Sequence, residues 1–145
     1  MNRAILATRI GAALLLALGV ARGIGGVILF LRGRAGFPHS LADDEAIRIL
    51  GAGLLLVAVL GSAAAVLLYR LAPSGFPLAV ATLIAFLVGG LVNGSFLFGR
   101  PTAAGTTINL AAAALILAVL LFGRPALRRT TRQGSSTAPP TGPAA

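Results

Sequence analysis

Four long apolar runs dominate this chain of 145 residues, and each is long enough to cross a lipid bilayer. A helix rises about 1.5 Å per residue, so roughly 20 apolar residues span a hydrocarbon core about 30 Å thick. Because no water in that core can bond to backbone groups, each run must form a helix. The sequence therefore predicts an all-α fold, an integral membrane four-helix bundle. The predicted spans are approximately Ile10–Leu31, Ile49–Leu68, Pro77–Phe98 and Thr106–Phe122.

The composition excludes several other classes of protein. With 57% hydrophobic and 10% charged residues, the chain has more apolar surface than a soluble domain of this size can bury. The net charge of +9 comes from arginines at the ends of the apolar runs, as in membrane flanks, so we expect no nucleic-acid partner. There is no cysteine and one histidine, so we expect no metal site, no cofactor, no catalytic residue and no enzyme activity.

Glycine and proline mark the predicted helix ends. Arg32–Pro38 is expected to end the first helix, and Ala72–Gly75 separates the second from the third. The sequence Leu-Phe-Gly-Arg-Pro occurs twice, at 97–101 and 121–125. We predict that both copies end a helix, with glycine as the C-cap and proline as the stop.

The arginines also predict how the chain is oriented. Segments on the side of the termini hold seven arginines and those on the other side hold four, which favours both termini in the cytoplasm. Three of the seven lie in residues 126–145, a basic stretch rich in Ser, Thr and Pro. We predict a disordered cytoplasmic tail there, after a transmembrane domain of residues 1–125.

A second interpretation of the N-terminus stays open. Arg3 and Arg9 followed by the apolar segment Ile10–Ala21 are also typical of a cleaved secretory signal. Cleavage would make Arg22 the new N-terminus and would leave Gly23–Leu31 as an apolar segment too short to span.

Arg22 lies deep in the first predicted span, and no acidic residue lies in any of the four. A charge near mid-bilayer costs roughly 2.5–3.5 kcal/mol on insertion scales, so it is by default a functional hypothesis. Arg22 could bind an anion or a polarised carbonyl, such as a lipid headgroup, a carboxylate or a quinone. Alternatively it snorkels outward and bonds backbone carbonyls and Asn93.

Two asparagines fall in the same half of the predicted bundle as Arg22. The small-residue patterns Gly19–Gly23 and Gly90–Gly94 would allow the first and third helices to meet, with Arg22 near Asn93. Asn109 lies in the first turns of the fourth helix. We predict Arg22, Asn93 and Asn109 as ligand-binding residues, with hydrogen bonding between helices as the alternative for the asparagines.

The only acidic side chains form one cluster, Asp43 to Glu45. Ser40 to Asp43 fits a capping box, and acidic residues suit a helix N-terminus, so we expect this cluster to begin the second helix. A cation site or an acid/base pair is the alternative.

The layout resembles the DoxX-like group of small four-helix bacterial membrane proteins, over roughly residues 5–125. The resemblance rests on Asp44–Gly51 leading into the second helix, Gly89-Gly90 in the third, and the turn Gly99–Pro101 before the fourth. It implies a multi-pass protein of the bacterial inner (plasma) membrane. Some members are linked to membrane redox or thiol-stress complexes, but no catalytic residue carries over.

These observations favour a non-enzymatic accessory or assembly protein, or one that binds a lipid-like ligand. The expected partners are the lipid bilayer and either other membrane subunits or further copies of the chain. Two alternatives remain, a small transporter of an anionic or neutral solute and a subunit of a membrane redox complex. Small four-span multidrug exporters look similar in length, but they depend on a glutamate in the first helix, where this chain has Arg22.

Overall fold

The computed structural model describes residues 2–135, with side chains through residue 127. This part of the chain forms four long helices, and a short 3-10 turn (Gly33–Gly36) follows the first. All four helices are long and apolar enough to cross a membrane, which confirms the all-α, four-span prediction. Each predicted span lies within its helix. The helices are α1 (Arg3–Arg32), α2 (Asp44–Tyr69), α3 (Gly75–Phe98) and α4 (Ala103–Ser135).

The helices pack in chain order around a ring, and α4 closes the ring against α1. α1 and α3 therefore lie on a diagonal, and the hypothesis that they pack directly against each other is wrong. One end of the bundle carries the first residues of α1 and the α2–α3 turn, and we name it the termini end. The other end carries the α1–α2 and α3–α4 connections, and we name it the loop end.

Glycines on α1 bring it close to α2 instead. A Cβ added at Gly19 would lie 3.3 Å from the carbonyl oxygen of Ala58, and one at Gly26 would lie 2.9 Å from that of Gly51. Such short approaches need residues without side chains, because helices in lipid associate by close van der Waals packing. The small-residue pattern of α1 therefore joins it to α2.

The two copies of Leu-Phe-Gly-Arg-Pro differ in structure. Gly99 in the first copy takes a left-handed conformation with a φ of 75°, and α3 ends there as predicted. The second copy lies inside α4, which continues through Pro125. The predicted helix end at Phe122 is therefore wrong, and residues 126–135 are helical rather than a disordered tail. The same prediction for residues 136–145 falls outside the described residues.

Packing against α1 explains why the second copy does not end its helix. The hydroxyl of Thr8 shares its proton between the carbonyl oxygens of Ala4 (2.9 Å) and Gly123 (3.1 Å). Ala126 and Leu127 are buried just beyond. A proline removes one backbone hydrogen bond, but membrane helices tolerate that loss where their neighbours hold them in place.

Burial changes abruptly along α4. None of residues 103–112 is buried, whereas from Ala113 onward buried residues recur every three or four positions. Such spacing puts them on one face of the helix, against the rest of the bundle. The first half of α4 thus leaves space beside α1 and α3. The buried set is Ala113, Ile116, Leu120, Gly123, Ala126 and Leu127.

Candidate functional site

Arg22 reaches from the middle of α1 into the interior of the bundle. Its Nη2 donates a hydrogen bond of 2.7 Å to Oδ1 of Asn109 on α4. Its Cζ lies 4.5 Å from the ring centroid of Phe86 on α3, a cation–π contact across the diagonal of the bundle. Phe86 is about 18 Å along α3 from the loop end at helical rise. Asn109 is about 9 Å along α4 from the loop end by the same measure, so the guanidinium lies between these two levels of the bundle.

These contacts leave Arg22 partly unpaired. A guanidinium carries five N–H donors, and among the described residues the hydrogen bond to Asn109 is the one that Arg22 makes to a protein acceptor. The ion pair found among the described residues joins Nε of Arg48 to Asp44, at 2.8 Å, and does not involve Arg22. No fully buried side-chain nitrogen or oxygen lacks a partner in the described part of the chain. The remaining donors of Arg22 are therefore accessible, and the side chain is only half-buried.

The accessible side of the guanidinium faces a cavity of about 370 Å³. We name it the Arg22 cavity. Asn93 and Asn109 line it too, so one cavity brings together all three residues predicted from the sequence as ligand-binding. Their role in binding stays a prediction. The other polar lining residues are Thr102 and Thr106.

The rest of the cavity wall is mostly apolar, and part of it is glycine without a side chain. Glycines of α1, α3 and α4 take part, and a Cβ at Gly25 would meet no atom within 4 Å. At the loop end, Phe37 and Phe98 both line the cavity and contact each other edge to face, with ring centroids 6.4 Å apart. Such a pocket, mostly apolar with a few convergent polar groups, is typical of a small-molecule site. The apolar side chains on its wall include Ile28, Leu29, Leu54 and Leu97.

The partner of Arg22 differs from the one the sequence suggested. Asn93 shares the cavity, but the hydrogen bond goes to Asn109, because α4 and not α3 is the neighbour of α1. Sequence reasoning also missed Phe86. The available signal was its position, since Phe86 is an aromatic residue in the middle of an apolar span and most of the others lie near span ends.

The acidic cluster is a helix start, as predicted. Asp43 is the N-cap of α2, and its side chain accepts a hydrogen bond of 2.8 Å from the backbone N–H of Ala46. The predicted capping box differs in detail, since Ser40 instead accepts from the N–H of Ala42. No group of three or more potential metal ligands occurs within residues 2–127.

Asp44 connects α1 and α2 at the loop end. One carboxylate oxygen accepts a hydrogen bond of 2.8 Å from the backbone N–H of Arg34, and the other pairs with Nε of Arg48. Arg48 in turn donates to the carbonyl oxygen of Phe30 at 3.3 Å. This network holds the start of α2 against the end of α1. The carboxylate of Asp44 bonds within it and not to Arg22.

Arginines at the termini end stack on aromatic rings at the surface. Cζ of Arg9 lies 5.2 Å from the ring centroid of Tyr69, and Cζ of Arg124 lies 5.1 Å from that of Phe76. Arg9 and Arg124 also line cavities, of about 590 and 620 Å³, but both side chains are exposed, whereas that of Arg22 is half-buried. Among the arginines whose side chains the structure describes, Arg22 is therefore the one whose surroundings best fit a binding site.

Comparison with known proteins adds no assignment, since no family model, curated protein sequence or solved structure matches the chain. The resemblance to the DoxX-like group stays a prediction.

Proposed function

We propose that this multi-pass membrane protein binds a lipid-like ligand with an anionic or strongly polarised head in the Arg22 cavity, without chemical conversion of that ligand. The observation that carries the proposal is a half-buried guanidinium with donors to spare and no carboxylate beside it among the described residues. In a low-dielectric site, such donors bond an anionic oxygen more strongly than a neutral one.

The lining supports a ligand that is polar at one end and apolar over the rest. The polar groups Arg22, Asn93 and Asn109 could hold a carboxylate, a phosphate or a quinone carbonyl. Most of the remaining wall is leucine, isoleucine, phenylalanine and glycine. A solute that is charged or polar over its whole surface would lose its hydration in this cavity, and few polar groups there could replace the lost water.

For the placement of the chain, we propose the bacterial inner membrane with both termini in the cytoplasm. The excess of arginine on the side of the termini supports this orientation. Seven arginines would face the cytoplasm, namely Arg3, Arg9, Arg70, Arg124, Arg128, Arg129 and Arg132, and four would face outward, namely Arg32, Arg34, Arg48 and Arg100.

Native mass spectrometry of the gently solubilised protein tests the binding proposal. Wild type is compared with Arg22→Leu, and Arg100→Leu is the control because it removes the same charge from an exposed site outside the cavity. We expect wild type and Arg100→Leu to retain an anionic lipid or quinone adduct, and Arg22→Leu to lose it while staying folded.

Two results would contradict the proposal. Equal adducts on all three proteins would mean that Arg22 is not a binding group. A wild-type protein that carries a second membrane subunit but no small molecule would favour the accessory or assembly role instead.

A further inference from the structure

A second cavity adjoins the Arg22 cavity between α3 and α4. It measures about 150 Å³, and we name it the seam cavity. Gly90, Thr106 and Asn109 line both cavities, so the two spaces meet at the same three residues. α3 and α4 also make the least contact of the neighbouring helix pairs. The residues that the two cavities share therefore lie on the neighbouring helix pair with the least contact.

The far side of the seam cavity faces outward from the bundle. Leu91 and Leu110 line it, and their exposed fractions are 45% and 57%. Both belong to helices that are long and apolar enough to span a membrane, so in a bilayer their exposed sides contact lipid chains. The seam cavity thus lies between the lipid-facing surface of α3 and α4 and three residues that also line the Arg22 cavity.

Asn109 stands at the junction of the two cavities. Its Oδ1 accepts from Arg22, and its Nδ2 would lie 2.5 Å from a Cβ at position 90. The amide therefore fits there because residue 90 is glycine. A carboxylate or phosphate oxygen is a stronger acceptor for a guanidinium than an amide oxygen. An anionic head could replace the amide oxygen of Asn109 on Arg22, and Nδ2 of Asn109 could then donate to the same head from the junction.

The size of the Arg22 cavity restricts how a ligand can fit. Ligand pockets range from about 300 to 1,000 Å³, and this one is near the lower limit. It has room for a head and the first carbons of a chain but not for a whole long tail. The tail must therefore leave the cavity, whose loop end is lined by the edge-to-face pair of Phe37 and Phe98.

From this arrangement we infer that the ligand is an anionic membrane amphiphile that enters sideways from the bilayer between α3 and α4. Its acidic head binds Arg22, and its tail lies in the seam beside Leu91 and Leu110. This inference rests on the proposed function and specifies the class of ligand and its route.

Photo-crosslinking in nanodiscs tests the route. The probe is a palmitic acid with a diazirine in the middle of its chain, and peptide mass spectrometry maps the labelled residues. Four proteins are compared: wild type, Gly90→Leu to fill the junction, Arg22→Gln to remove the charge, and Gly89→Leu as the control. Gly89 is the neighbouring glycine on α3, and a Cβ there meets no atom within 4 Å.

In wild type and Gly89→Leu we expect labelling of the seam, at Leu87, Leu91 or Leu110. In Arg22→Gln the label should fall by about tenfold or more, as for the loss of a hydrogen bond to a charged group. In Gly90→Leu it should fall by about tenfold, because the added side chain overpacks the junction. If Gly90→Leu does not fold, Thr106→Leu fills the junction from the exposed side of α4 and should give the same loss.

Different failures separate the two proposals. Labelling that depends on Arg22 but lies outside the seam and ignores the junction variants would overturn the lateral route and leave the binding function intact. Labelling that is the same with and without Arg22 would overturn both. Excess sodium acetate has the carboxylate without the tail, so we expect it not to compete, and full displacement by acetate would overturn the assignment of a membrane amphiphile.

Discussion

The two halves of α4 belong to one apolar span, Ala103–Leu127, yet they pack in opposite ways. Residues 113–127 place a buried face against the bundle, whereas residues 103–112 bury none of their side chains. The packed half contacts α1 at close range, since a Cβ at Gly11 would lie 2.5 Å from Leu120. The open half borders the Arg22 cavity with Thr106 and Asn109. In lipid, therefore, apolarity alone does not make a helix pack.

The physical reason is that lipid chains are as apolar as leucine. Helices in a bilayer associate through close contact and hydrogen bonds and not through escape from water. In the packed half, small residues and regular spacing give that contact. In the open half, the hydrogen bond from Arg22 to Asn109 bridges α1 and α4 across a gap. Weak packing in this half leaves room for a ligand.

The largest effect should come from a substitution that breaks the packed half. Gly123 lies directly against Thr8, where an added Cβ would come within 2.8 Å of a backbone nitrogen. We expect Gly123→Leu to lower the free energy of unfolding by about 3 kcal/mol, through overpacking. The exposed Ala111 offers the control Ala111→Leu. Unfolding in mixed micelles measures both, and equal losses would contradict the distinction between the two halves.

Truncation of leucines sharpens the same contrast. Leu120 is 1% exposed, whereas Leu110 is 57% exposed and faces outward. We expect Leu120→Ala to cost about 2 kcal/mol of stability because it leaves a cavity. Leu110→Ala should stay within about 0.5 kcal/mol of wild type, as at other surface sites. Chemical denaturation of each variant is the measurement, and a costly Leu110→Ala would show that the open half is packed after all.

A smaller effect is expected for the hydrogen bond between Arg22 and Asn109 in the open half of α4. A double-mutant cycle with Arg22→Leu and Asn109→Ala should give a coupling of about 1 kcal/mol, the size of hydrogen bonds between membrane helices. The matched cycle with Asn93→Ala should give almost none, since Arg22 bonds Asn109 and not Asn93. If Asn93 instead couples to Arg22 and Asn109 does not, then Asn93 is the hydrogen-bond partner of Arg22, as the sequence suggested.

The smallest expected effect concerns the proline in the packed half. Pro125 lies inside α4, so Pro125→Ala restores an N–H for the carbonyl oxygen of Leu121. We expect a gain of about 0.5 kcal/mol, at the low end for one hydrogen bond. Pro101 follows the end of α3, and Pro101→Ala should bring no gain. Thermal unfolding compares the two, and stabilisation by Pro101→Ala alone would contradict the assignment of the helix ends.

Much of the fold could be predicted because it depends on local properties of the chain. The length of the apolar runs fixes the four spans, and the left-handed Gly99 and the capping Asp43 follow from local backbone chemistry. The second Leu-Phe-Gly-Arg-Pro copy shows the limit of such reasoning. Its five residues equal those of the first copy, but contact with Thr8 keeps the helix intact. That contact joins residues far apart in sequence, which no local pattern reveals.

The candidate site was predictable in its residues but not in its connections. Arg22, Asn93 and Asn109 stand out as polar groups in apolar spans, and one cavity does contain all three. Which of them bond depends on the order of the helices around the ring. Small-residue patterns are too common in this chain to fix that order. The contact with Phe86 likewise required the fold, because it crosses the bundle.

Ligand-induced stabilisation tests the central claim most directly. The melting temperature of the detergent-solubilised protein is measured with oleate and with oleyl alcohol, which has the same tail but no charge, for wild type and Arg22→Gln. We predict that oleate raises the melting temperature of wild type. The underlying gain in the free energy of unfolding is about 2.7 kcal/mol at a hundredfold excess of oleate over its Kd. Oleyl alcohol should have little effect, and Arg22→Gln should respond to neither. Equal stabilisation of both proteins by oleate would contradict the claim that Arg22 in the open half of the bundle is a binding group.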